Sequence, residues 1–162
     1  MTDLGTRLLA LWHDLDIPFA SPATESQLCH FESHYHLSSL PPEFRSYLRV
    51  VNGMKNTEEW NCDDELVTFW NLPTRPDEFS SDSYICPAYR VWKPCLEENG
   101  QHLFVFADWC INGFVLAINL NQKSNEYGSI SRLMDSNPEV IWPSFQCFLS
   151  AYLENRGNAI FA

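Results

Sequence analysis

The stretch from Leu40 to Gly53, LPPEFRSYLRVVNG, constrains the fold more than any other. Pro42 confines Pro41 to extended geometry, so no helix can begin before Pro41. Pro42 itself suits the first helical position, where its missing N–H costs nothing. Phe44, Tyr47, Leu48 and Val51 then recur on one helical face. Glu43 places a negative charge in the first turn, which favours the helix dipole. Leu40 is placed to fold back on Phe44 as a hydrophobic staple. Gly53 can adopt the left-handed conformation that ends a helix, and Asn52 tolerates it. The stretch predicts a short helix over about 42–52 that delivers the chain into a turn.

The rest of the chain must supply the partner for that apolar face. Its 162 residues are 45% hydrophobic and 14% aromatic, with six tryptophans. That composition predicts one packed, aromatic-rich domain and excludes disorder. Leu4, Leu8, Leu11, Trp12 and Leu15 give an amphipathic helix over about 3–15, capped by Thr2 or Asp3. Ser21-Pro22 reads as the cap and first turn of a second helix reaching about His36, with Leu28, Phe31 and Tyr35 inward. Leu66–Trp70, Leu103–Ala107, Phe114–Leu120 and Tyr127–Leu133 read as strands. Asn112-Gly113 is the turn signal between the second and third of these. Residues 71–100 are broken by Pro73, Pro76, Pro87 and Pro94, leaving room only for a short edge strand at Tyr84–Cys86 or Tyr89–Trp92. Pro138 and Pro143 bracket a linker. Pro143 opens a last helix carrying Phe145, Phe148, Leu149, Tyr152 and Leu153, which Asn155 or Gly157 ends. Helices, then strands, then a helix predict an α+β fold, with a mainly antiparallel sheet covered by N-terminal helices and a C-terminal helix.

Charge narrows the partners. Lys plus Arg number 10 and Asp plus Glu 21, a net charge of −11. A phosphate backbone would be repelled, so direct nucleic-acid binding is not expected. A basic protein partner suits such a field, although the same charge also simply keeps a protein in solution. Residues 1–15 carry Arg7 and Asp14 and do not read as a signal peptide. No run approaches the ~18 apolar residues of a membrane span. Cys29, Cys62, Cys86, Cys95, Cys110 and Cys147 form no CxxC pair. They read as reduced thiols of a cytoplasmic protein, mostly packed like small hydrophobes.

Catalytic chemistry finds little support. His30 and His34 share a helical face at the spacing of metal ligands, but no HExxH or equivalent partner follows. They read as a solvated helix surface, and no metal or cofactor is expected. No Cys–His pairing is specified by position, and no G-x-S-x-G, P-loop or dinucleotide fingerprint occurs. Glu97-Glu98 and Asp63-Asp64-Glu65 read as solvated carboxylates. The more informative feature is the acidic run Glu58, Glu59, Asp63, Asp64 and Glu65 around Trp60. A Trp can anchor an interface while carboxylates around it pair with Lys or Arg, and the bland alternative is a solubilising loop. Asp108-Trp109, at a strand end, is a second candidate contact. Packing of the Trp and turn capping by the Asp are its ordinary roles.

Taken in order, CHFESHYHL, LPPEFRSYLRVVNG, VTFW, FVFADWCINGFVLAINL and WPSFQCFLSAYL resemble the SUKH superfamily over about residues 21–155. The pattern rests on Leu40, Pro41, Pro42, Phe44, Leu48, Asn52 and Gly53. The Phe-Ala-Asp-Trp run and the closing Ser144, Phe145, Phe148 and Leu149 add to it. The chain departs from the family at Cys110-Ile111-Asn112, where a small Gly-rich turn is common, and at Asn119, where many members carry Asp. The superfamily includes fungal cell-wall synthesis regulators and many bacterial immunity proteins. The resemblance implies a SUKH-like domain over 21–155, preceded by a helical extension of the same domain (1–20) and followed by a tail (156–162). It implies a binding protein rather than an enzyme: an immunity protein, or antitoxin, that occludes a cognate toxin, often a nuclease, at a basic active-site groove. The alternative it implies is a regulatory or scaffolding module of the cell-wall regulator type. The candidate partner-binding residues are Glu58, Glu59, Trp60, Asp63, Asp64, Glu65, Asp108 and Trp109. Neither the identity of the toxin nor an oligomeric state is legible.

Overall fold

A computed structural model describes residues 3–55, 61–72, 102–110, 113–134 and 138–162. Three helices open the chain: α1 (Leu4–Asp14), α2 (Glu25–His34) and α3 (Pro42–Val50). Five strands follow: β1 (Val67–Phe69), β2 (Leu103–Trp109), β3 (Phe114–Asn119), β4 (Ile130–Leu133) and β5 (Pro138–Trp142). They form one antiparallel sheet in the order β1-β2-β3-β4-β5. Helices α4 (Phe145–Glu154) and α5 (Arg156–Ile160) close the chain. The α+β architecture is the expected one.

One face of the sheet meets the helices through aromatic side chains. Trp12 of α1, Phe31 of α2, Phe44 and Tyr47 of α3, and Phe145, Phe148 and Tyr152 of α4 converge on Phe69, Phe104 and Phe106. Phe44 lies 5.0 Å from Phe145, and Phe106 lies 5.4 Å from both Phe145 and Phe148, ring centre to ring centre, at steep angles. Edge-to-face contacts of this kind add about 0.5–1.5 kcal/mol each to simple burial. The opposite face carries a second buried cluster, from Leu103, Val105, Val115, Ala117 and Leu133 with Trp70.

A bulge in β2 sets which residues face which side. Pairing with β3 runs regularly to Val105, skips Phe106 and resumes at Ala107. The extra residue resets the alternation. Phe104, Phe106 and Ala107 all belong to the helix-side core, and Trp109 packs against it. The Phe106 carbonyl accepts the Trp70 N–H at 2.7 Å, which carries the β1–β2 pairing one step beyond Phe69.

Several boundaries differ from those expected. Helix α2 begins at Glu25, capped by Thr24 rather than Ser21, because Thr24 and Gln27 form a reciprocal capping box. Helix α3 ends at Val50, and Val51 is already extended. Gly53 does have a positive φ, of +76°, but its place is a crossing rather than a helix end. A Cβ there would stand 2.5 Å from the Trp70 carbonyl carbon. Next to it Asn52 Oδ1 accepts the Leu72 N–H at 2.9 Å. The supposed linker between Pro138 and Pro143 is the edge strand β5, where a proline at the first position removes no ladder bond. Strand β4 starts only at Ile130, after a turn through Gly128 at φ +84°. Helix α4 starts at Phe145 with Ser144 as its cap, and Asn155 then caps α5, which stands where a tail was expected. Cys29, Cys62, Cys110 and Cys147 are free but exposed, contrary to the packed positions expected. They lie on solvent-facing helix surfaces and in turns. The strand expected within 84–92 and the Glu97-Glu98 pair fall outside the described residues.

Candidate functional site

The turn from Asn61 to Leu66 folds against the end of β2 and against α4 and α5. Asp63 organises it. The residue is 4% exposed. Oδ1 accepts the backbone N–H groups of Glu65 and Val67, at 3.0 and 2.8 Å. Oδ2 accepts a hydrogen bond from the Tyr152 hydroxyl. Arg156 closes the arrangement from α5: its guanidinium binds Asp64 at 2.6 Å and lies 3.9 Å from Asp63. Burial pushes the Asp63 carboxyl above its ordinary pKa, against the lowering by these donors. Burial and the neighbouring Asp63 carboxylate hold the Tyr152 phenol well above its own.

Asp108 lies beyond the bulge and is fully buried. Its Oδ2 accepts Trp70 Nε1 at 3.2 Å, and Oδ1 has no hydrogen-bond partner among the described residues. Burial, opposed by that single bond, pushes its pKa up to about 7. Trp109 points to the other side of β2. Its indole stacks on Phe114 at 5.2 Å, meets Phe161 edge-on at 5.1 Å and donates to the Glu65 carbonyl at 3.0 Å. Gly113 makes room for it, since a Cβ there would stand 2.9 Å from the indole.

The structure thus brings Asp63, Asp64, Glu65, Asp108 and Trp109 into one corner. Asp64 and Glu65 are exposed. Asp63 and Asp108 are buried, with their carboxylates turned to the interior. Glu58, Glu59 and Trp60 lie outside the described residues. The corner also exposes two apolar side chains, Leu66 at 47% and Phe161 at 54%. Sequence reasoning passed over Tyr152, Arg156, Leu66 and Phe161. Only Tyr152 carried a signal, because a phenol on a buried helix face needs a polar partner. Among the described residues no group of three or more His, Cys, Asp or Glu is placed to hold a metal ion, the α2 histidines included. No helix of the described residues is long and apolar enough to cross a membrane.

No curated protein shows significant similarity to the chain. The family model of the SMI1 / KNR4 family (SUKH-1) matches residues 22–151, spanning α2, α3, the whole sheet and most of α4. Members of that family act as protein-binding modules, toxin-immunity proteins among them, and are typically not enzymes. With a match over most of its length and the fold that the resemblance implied, the chain belongs to the SMI1 / KNR4 family (SUKH-1).

Proposed function

We propose that this protein is a cytoplasmic immunity protein that binds a cognate bacterial toxin, of nuclease type, and occludes its basic active-site groove. Membership of the family over residues 22–151 carries the reading. The net charge of −11 supports the choice of target, since a groove built to receive phosphate is complementary to an acidic surface. Occlusion demands no bond chemistry of the chain. It demands a preformed surface with a desolvated anchor and a charged rim.

The corner around Asp63 has those parts. Leu66, Trp109 and Phe161 form an exposed or half-exposed apolar centre, and Asp64 and Glu65 flank it. The buried Asp63–Tyr152 bond fixes the turn that presents them, which limits the ordering cost of binding. In this reading the acidic run continues through Glu58 and Glu59, with Trp60 as a further anchor. Co-expression with the toxin encoded beside the gene tests the proposal. Protected cells and a co-purifying complex are expected. Growth arrest with no complex would leave the family's regulatory role as the better reading.

A further inference from the structure

A second surface, away from the acidic corner, has the opposite chemistry. A cleft of about 210 Å³ opens where three segments meet: the end of α2, the entry to β2 and the turn after β3. His36, His102 and Lys123 line it, one from each segment, together with Asn121 and Gln122. Among the described residues no carboxylate lines it, in a chain where Asp and Glu outnumber Lys and Arg 21 to 10. All three cation-forming side chains are exposed, and none makes a hydrogen bond or ion pair among the described residues. Arg45, Arg49, Arg132 and Arg156, by contrast, are each paired with a carboxylate.

The walls are fixed. Gln122 donates to Ser38 Oγ at 2.8 Å and accepts the Ser38 N–H at 3.2 Å, which ties the turn after β3 to the link between α2 and α3. Leu120 N–H donates to the His102 carbonyl at 2.6 Å, which ties the same turn to the start of β2. His36 sits in the left-handed region at φ +53°, held by its N–H bond to the Ser33 carbonyl. The backbone segments that carry three donor side chains are therefore fixed around one small cavity, an arrangement that favours charge-assisted bonds to an anion.

We infer that this cleft binds a small oxyanion, a phosphate or carboxylate group, through His36, His102 and Lys123. The site is independent of the toxin-binding surface and stands whether or not that reading holds. Its test is a titration of the imidazole resonances of the whole protein with inorganic phosphate, and separately with acetate, at constant ionic strength and constant pH. Saturating shifts at His36 and His102, with His13 unmoved, are expected. Saturation by phosphate alone assigns a phosphate group, and saturation by both assigns either oxyanion. Lys123→Ala should weaken the apparent affinity about tenfold, as loss of a charged donor does, and His102→Gln should weaken it as well. Both positions are exposed, and a thermal melt verifies that each variant folds. Shifts that rise linearly without saturation, equal movement of His13, or unchanged affinity in both variants would overturn the assignment.

Discussion

Asp108 is the residue with the most at stake in its protonation. An unfolded aspartate titrates near its ordinary value of about 3.9, whereas the buried carboxyl titrates at about 7. Between those two values the folded protein holds a proton that the unfolded chain has lost. Stability contributed by this group is therefore complete below pH ~4 and is lost as pH rises through 7. Asp108→Asn removes the titration and keeps an acceptor for Trp70 Nε1. Chemical denaturation should show the variant more stable by about 1–3 kcal/mol near pH 8, after allowance for the amide's own unmet hydrogen bonds. Near pH 5 the gain should vanish, and a gain equal at both pH values would contradict the assigned state. Gly53 makes a second case at this scale. Its positive φ was legible from Asn-Gly, but the 2.5 Å approach to the Trp70 backbone was not, because it joins segments distant in sequence. Gly53→Ala should cost roughly 2–4 kcal/mol in a urea titration, combining left-handed strain with displacement of backbone.

Elements are joined by a few specific contacts. Helices α2 and α3 are clamped by Arg45, which binds Glu32 at 2.5 Å and Glu25 at 2.7 Å, while Glu25 also binds Arg49. These pairs differ in worth. Glu25 is exposed, so its bonds contribute little in water. Glu32 is largely buried and also accepts the Leu40 N–H at 2.8 Å, which fixes the approach to Pro41-Pro42. Glu32→Ala should therefore lower the unfolding free energy by about 1–3 kcal/mol, and Glu25→Ala should lower it less. Equal losses would contradict that ranking. Helix positions were legible because their apolar periods are long and their prolines sit at the starts. The Thr24–Gln27 box was equally visible in sequence, but Ser21-Pro22 offered a competing cap. Strand β5 was masked by its flanking prolines, which are compatible with an edge strand as much as with a linker. The bulge at Phe106 had no signature at all, since every residue of LFVFA is apolar and alternation cannot reveal a slip.

At the scale of the molecule, a single aromatic core joins the helical layer to the sheet, and its composition was foreshadowed by the spacing of Phe44, Tyr47, Phe145 and Phe148. The candidate surface was legible only in part. Sequence brought attention to Asp63, Asp64, Glu65, Asp108 and Trp109, but exposure divides them: the pattern of charges cannot tell a rim carboxylate from one buried against Tyr152. Leu66 was read as the first residue of a strand rather than as an exposed turn residue, and Phe161 drew no attention because a lone apolar residue near the C-terminal end has no pattern to announce it. In the proposed immunity role, binding falls to the exposed members of this corner. Asp64→Lys with Glu65→Lys should slow association with the toxin about tenfold at low ionic strength, with the difference shrinking as salt is added.

The most direct test of the proposed function is the equilibrium binding of the purified protein to a catalytically inactive form of any nuclease toxin found encoded beside its gene. Saturable binding that blocks access of nucleic acid to the toxin's groove, and that weakens when Leu66 and Phe161 are replaced by Ala, is the predicted result. Binding that leaves the groove open, or no binding by the wild-type protein, would contradict it.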